Sequence, residues 1–308
     1  MSKQNSSFNE FFKKLHTEKY KWYDFFLFPP IIAIVLLIAG QICGELIIEL
    51  VIQPLVNESN NDFLSVFSFY FIFLFVWIVS LLYFYLVKRN RPIFNAITPV
   101  CKGNTIKYLL LGFIVGFIQN TICVVVALMH KDIYIEFASI NVIQTVALFI
   151  VVFIQSGAEE LLCRGFIYQR LRKAYRNPAI AVIGNSVLFS IVHVFNPGIK
   201  PLALLNICLV GICYSLFVYY FDSIWMAMAA HTAWNFTQNI IFGLPNSGNV
   251  LPFSIFKLDA STATDSFAYD VEFGVEATLV AAIVIIFSSI LVYLWGKKNN
   301  KIPTDIWN

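Results

Sequence analysis

Three short patterns in this sequence hold side chains that could do chemistry together. In the first, Gln155-Ser156-Gly157-Ala158-Glu159-Glu160-Leu161-Leu162-Cys163-Arg164, the apolar run Val142 to Ile154 meets two adjacent carboxylates and an arginine. Charges at the edge of a membrane span are costly and point to function. On a helix, Glu160 and Arg164 are four residues apart and share a face, with the acid amino-terminal to the cation, the better order for a pair. Glu159 points about 100° away on the helical wheel and is left without such a partner. In a poorly solvated place its pKa should rise toward the range useful for a general base. An interfacial ion pair beside a snorkelling acid reads the same from these residues alone.

The second pattern is Phe189-Ser190-Ile191-Val192-His193. A histidine on an apolar helix is often a satisfied core residue, but inside a bilayer an imidazole needs a polar partner. The third is His231-Thr232-Ala233-Trp234-Asn235, whose His231 and Asn235 lie on one helical face, with Gln238 and Asn239 continuing it. Two donors aimed at one point suit a developing oxyanion; a polar clamp between helices is the plainer alternative. An acid pair, a histidine and a His/Asn pair on neighbouring helices make a hydrolytic constellation of base, orienting imidazole and oxyanion donors. Cys163 lies one turn past Glu159, and its apolar surroundings argue for an inert thiol over a nucleophile.

What must position these residues is a membrane protein. The chain has 308 residues, 59% of them hydrophobic and 13% charged, and a mean hydropathy of +0.74. A soluble domain is about half apolar and about a quarter charged. The six cysteines lie in or beside apolar runs without a Cys-x-x-Cys pair, which argues for buried thiols and against a disulfide framework. At roughly 20 apolar residues per span, eight spans are expected, at about 25–44, 63–87, 108–129, 142–160, 179–195, 201–220, 223–243 and 275–296. The fold class is thus all-α and polytopic. The run from Phe25 to Cys43 is too long for a signal-peptide core and reads as a retained first span.

Lys and Arg fall on alternate loops: residues 1–24, 88–107, 161–178 and the tail are rich in them, while 53–62 has none and 130–141, 196–200 and 244–274 have one each. By the positive-inside rule both termini are cytoplasmic. Gly112 and Gly116 form a Gly-x-x-x-Gly, read here as ordinary close helix packing. The chain then divides into a cytoplasmic segment 1–24, accessory helices 25–140, a catalytic core 141–243, an extracellular loop 244–274, and a last helix with its tail, 275–308.

Glu-Glu-x-x-x-Arg (Glu159, Glu160, Arg164), Phe-x-x-x-His (Phe189, His193) and His-x-x-x-Asn (His231, Asn235) resemble the three motifs of the CAAX-protease and bacteriocin-processing family of intramembrane proteases, also called Abi or lysostaphin resistance protein A-like. The resemblance covers roughly residues 140–243, in the family's order. It implies an eight-helix fold with a polar cavity open to the cytoplasm, and cleavage of a peptide bond near the membrane. By position, Glu159 and His193 would activate a water, His231 and Asn235 would form the oxyanion hole, and Glu160 and Arg164 would support them. The family carries a metal-dependent description, and Glu159, His193 and His231 would make a three-ligand zinc site. No His-Glu-x-x-His helix is present and Asn235 suits an oxyanion better than a metal, so a metal-free glutamate mechanism is favoured.

The expected partners are the lipid bilayer and a peptide or protein tail, with no nucleic acid, in a membrane that the resemblance makes bacterial. A non-catalytic scaffold for a sensor kinase or cell-envelope enzyme is the alternative, although a scaffold has no need of the polar set. A proton-relay transporter would need repeated halves, which the sequence does not show. One tension stands. His193 lies some 14 residues, about 21 Å, from the inner end of its span, whereas Glu159 is expected near the inner end of its own. The two meet only if spans five and six are short and their turn, Asn196-Pro197-Gly198, is sunk inside the protein.

Overall fold

A computed structural model of the chain describes residues 10, 12–52 and 62–308. The loop expected at 53–62, which has no Lys or Arg, lies almost wholly outside these residues, as does most of the first ten. Ten helices are used here: α1 Phe28–Ile47, α2 Asp62–Phe71, α3 Phe73–Leu86, α4 Ile106–His130, α5 Val142–Glu160, α6 Tyr168–Ala174, α7 Pro178–Val192, α8 Pro201–Phe221, α9 Ile224–Asn235 and α10 Leu279–Lys298. Among the described residues, six helical stretches are long and apolar enough to cross a membrane, α2 with α3 counting as one; α7 is a shorter apolar helix. With α9 this makes the eight expected spans.

Large apolar side chains face outward along one stripe of α1 (Ile31, Val35, Ile38, Ile42) and of α10 (Ile283, Phe287, Ile290, Leu294). Apolar surface at that helical spacing suits lipid, where the helices satisfy their own backbone polar groups. Among the described residues, the departure from an all-helical chain lies in the connecting loops. There β1 (Ile135–Phe137) pairs antiparallel with β2 (Phe256–Leu258), Glu136 opposite Lys257.

The fourth span differs most from expectation. It does not end at residue 160, and 161–178 is not a solvated basic loop. A π-helical segment, Leu161–Ile167, joins α5 to α6, so one continuous helix runs from Val142 to Ala174. Three of the five basic residues of this stretch, Arg164, Arg170 and Lys173, are paired within the protein. Arg164 is fully buried against Glu160, and Arg170 is buried against Asp24, which also meets Lys173. A buried charge that is paired need not mark a helix end.

This continuation removes half of the depth problem. Glu159 lies about fifteen residues above the hairpin Tyr175–Asn177, and so does His193, at the carboxyl end of the 15-residue α7. At 1.5 Å per residue both stand roughly 22 Å from the same hairpin. The short α7 supplies the other half; α8, expected to be short as well, is a full 21 residues. The turn that follows is covered by the segment after α9. Asn196 Nδ2 donates to Ser247 O at 3.2 Å, and Lys200 pairs with Asp270 at 2.7 Å. That hydrogen bond holds the Lys200 ammonium above the usual lysine range.

The Gly-x-x-x-Gly of α4 does pack, and it packs against the helix that carries His231. A Cβ at Gly112 would lie 2.4 Å from Met226 O, and one at Gly116 2.1 Å from Ala230 O. Only a glycine lets these backbones touch. At the other end of the bundle the terminal segments meet: Lys19 pairs with Asp305, and Arg172 donates to the carbonyls of Pro303 and Thr304.

Candidate active site

All four residues singled out for chemistry line one cavity of about 430 Å³: Glu159 from α5, His193 from the end of α7, and His231 and Asn235 from α9. Ile34, Ile191 and Val192 also line it and are exposed on the protein surface, so it reaches the lipid-facing side between α1 and α7.

The acid pair divides its labour as the helical wheel indicated, with one correction. Glu160 accepts from Arg164 Nη1 at 2.9 Å, and both side chains are fully buried. Its Oε1 also accepts from His231 Nδ1 at 3.0 Å. Glu159 is not left without a partner. Gln155 Nε2 donates to its Oε1 at 2.6 Å, and His231 Nε2 faces its Oε2 at 3.7 Å. Gln155 stands four residues before Glu159, a spacing that could have identified it.

The spacing of the second motif now has a reason. Where α7 ends, the His193 backbone N–H turns to Ser190 O, leaving Phe189 O for the His193 side chain, whose Nδ1 reaches it at 2.7 Å. A carbonyl only accepts, so Nδ1 carries the proton and Nε2 is left with its lone pair. Four residues separate a helix's last free carbonyls from the side chain that satisfies them. The Phe189 ring does a second job: Arg164 lies over its face at 4.7 Å, and the His193 ring meets it at 4.8 Å. Arg164 Nη2 finally donates to Gly211 O on α8 at 3.1 Å. One guanidinium thus ties α5, α7 and α8 together beneath the acid pair.

Asn235 Nδ2 donates to Gln155 Oε1 at 3.2 Å and lies 3.4 Å from Ser156 Oγ. Its Oδ1 accepts from Asn246 Nδ2 at 3.3 Å. Farther along the polar face, Asn239 Nδ2 donates to the Tyr70 hydroxyl. Gln238 joins Asn120 to the carbonyl of Pro245. Cys163 is a free, buried thiol on the cavity wall. Among the described residues no group of three His, Cys, Asp or Glu side chains is arranged to hold a metal ion. Each of the three candidate ligands keeps one donor atom outside its hydrogen bonds, His193 and His231 their Nε2 and Glu159 its Oε2, but the three are not gathered into a ligand set.

Residues 141–237, which hold all three motifs, match the family model described as type II CAAX prenyl endopeptidase Rce1-like. This segment matches the CAAX-protease family. The match starts at the foot of α5 and stops just past Asn235, so the CAAX-protease-like segment comprises α5 to α9. No curated protein and no solved structure matches the chain. Glu276, Asn246 and Ser247 also line the cavity and lie beyond the CAAX-protease-like segment. Sequence reasoning missed all three, because they sit in or beside a polar loop with no spacing to mark them.

Proposed function

We propose that this protein is an intramembrane endopeptidase that uses Glu159 to activate water against a peptide bond of a membrane-associated peptide or protein tail. The observation that carries this reading is the convergence of Glu159, His193, His231 and Asn235 on one cavity inside the bundle. Their elements are separate in sequence, and burying so many polar groups together is costly without a task for them.

In the proposed reaction a water lies between Glu159 and the free Nε2 of His193. Glu159 removes its proton as the oxygen attacks the carbonyl carbon. The developing oxyanion is met by Asn235 Nδ2 and, when the ring carries a proton on each nitrogen, by His231 Nε2. The proton on Glu159 then passes to the leaving amine as the C–N bond breaks. Glu160 and Arg164 hold His231 in place and touch no reacting atom. No metal is needed for these steps.

The apolar side of the cavity, with Ala33, Ile34 and Leu37 of α1 facing Leu188 and Ile191 of α7, suits a lipid chain or apolar segment attached to the peptide. That fits the prenyl substrate in the matched family's description. The Lys and Arg of 88–107 and of the tail, and the meeting of the two terminal segments at one end of the bundle, support a placement with both termini in the cytoplasm. Mass spectrometry of membrane peptides tests the proposal. Glu159→Ala should abolish a set of cleavage products that Cys163→Ser leaves intact; an unchanged peptide set in Glu159→Ala would sink it.

A further inference from the structure

A second carboxylate reaches the cavity, from outside the motif-bearing segment. Glu276 stands in the turn Val275–Ala277 before α10 and accepts four hydrogen bonds. Its Oε1 takes one from Trp234 Nε1 at 2.9 Å and one from Asn246 Nδ2 at 3.2 Å. Its Oε2 takes the Ser247 backbone N–H at 2.6 Å and the Ser247 hydroxyl at 3.1 Å. The segment after α9 is thereby clasped over the cavity.

The Asn246 amide also donates to Asn235 Oδ1. A continuous relay follows: Glu276, Asn246, Asn235, Gln155, Glu159. An ionised carboxylate only accepts, whereas each amide has a donating and an accepting end. Glu159 at one end therefore forces the Gln155 NH₂ toward itself, and the Gln155 oxygen toward Asn235. Glu276 at the other end forces the Asn246 NH₂ inward, where it can meet only the oxygen of Asn235. The Asn235 NH₂ is left pointing into the site, and the two constraints agree.

We infer that Glu276 is a positioning residue, which through Asn246 fixes the orientation of the Asn235 amide and so completes the site from the segment after α9. This rests on the reading of Asn235 as the oxyanion donor. It gives the clasp a role in the reaction and not merely in closing the bundle.

The full-length protein, reconstituted in liposomes with the fastest-cleaved member of a membrane-peptide library, tests this, with Glu159→Gln as the control that assigns cleavage to this site. Glu276→Gln places an NH₂ among four donors. It should lower kcat at least tenfold, with KM within about twofold. In an Asn235→Ala background the same change should cost less than about twofold, because two residues acting through one group are not additive. Asn246→Ala should behave like Glu276→Gln, and Ser247→Ala, which removes one clasp bond, offers a milder variant if Glu276→Gln does not fold. Equal losses in both backgrounds, or an effect on KM alone, would overturn the inference. If no peptide is cleaved in a Glu159-dependent way, the protease reading itself falls. The clasp is then judged by labelling a cysteine at Asn249 with an impermeant thiol reagent: faster labelling in Glu276→Gln supports it, and an unchanged rate refutes it.

Discussion

His231 Nδ1 donates to Glu160 at 3.0 Å, and this one bond aims the ring's other nitrogen at Glu159, 3.7 Å away. Adjacent carboxylates thus meet opposite edges of a single imidazole. One is sealed in the protein with Arg164, and the other opens on the cavity.

The sealed pair sets the first prediction. Glu160→Gln removes the partner of a fully buried arginine, and breaking such a pair by one member destabilises by about 3–5 kcal/mol. Thermal unfolding in detergent should show a large drop, with little protein accumulating in membranes. The same measurement on Glu159→Gln should show a much smaller one, because its side chain is partly open to the cavity. Equal drops would contradict the division of roles.

Close approach of α4 to α9 sets the second. Gly116→Ala would bring a methyl group to 2.1 Å from Ala230 O, so the helix carrying His231 and Asn235 must shift. Overpacking of this kind costs about 1–3 kcal/mol. The variant should be less heat-stable and also slower, and Gly112→Ala should follow it. A variant with ordinary stability would show that the two backbones are farther apart.

The expected depth of the turn after α7 sets the third. Asn196 is held by Ser247 O and roofed by the segment after α9. A cysteine at Asn196 should label slowly with an impermeant reagent added from outside, and a cysteine at Val250, which is 69% exposed, should label fast. Fast labelling at both positions would place the turn on the surface, and the depth match of His193 with Glu159 would fail.

Metal dependence is the fourth. Glu159, His193 and His231 are not gathered into a ligand set among the described residues. In the proposed metal-free mechanism, cleavage by the purified protein should survive o-phenanthroline. Loss of activity that added zinc restores would overturn the metal-free mechanism.

Much of this arrangement is legible in the sequence, and the failures share one cause. The pairing of Glu160 with Arg164 follows from their spacing, and so does the shared face of His231 and Asn235. The short α7 follows from requiring His193 and Glu159 to meet. Arg170 and Lys173 read as loop charges in the sequence because their neutralising partner is not local. Asp24 comes from the amino-terminal segment and reaches Arg170 across more than a hundred residues of chain. Glu276 and Asn246 were missed for the same reason. Local spacing reveals a pair on one helix, but it says nothing about a carboxylate that arrives from another element.

The most direct measurement is the rate of peptide-bond cleavage by the purified, reconstituted protein and by its Glu159→Gln variant, which keeps the shape of the side chain and removes the base. General-base catalysis contributes about 10²–10⁴ in rate. The account predicts a fall of at least a hundredfold for Glu159→Gln and full activity for Cys163→Ser. Wild-type cleavage in Glu159→Gln, or its loss in Cys163→Ser alone, would contradict it.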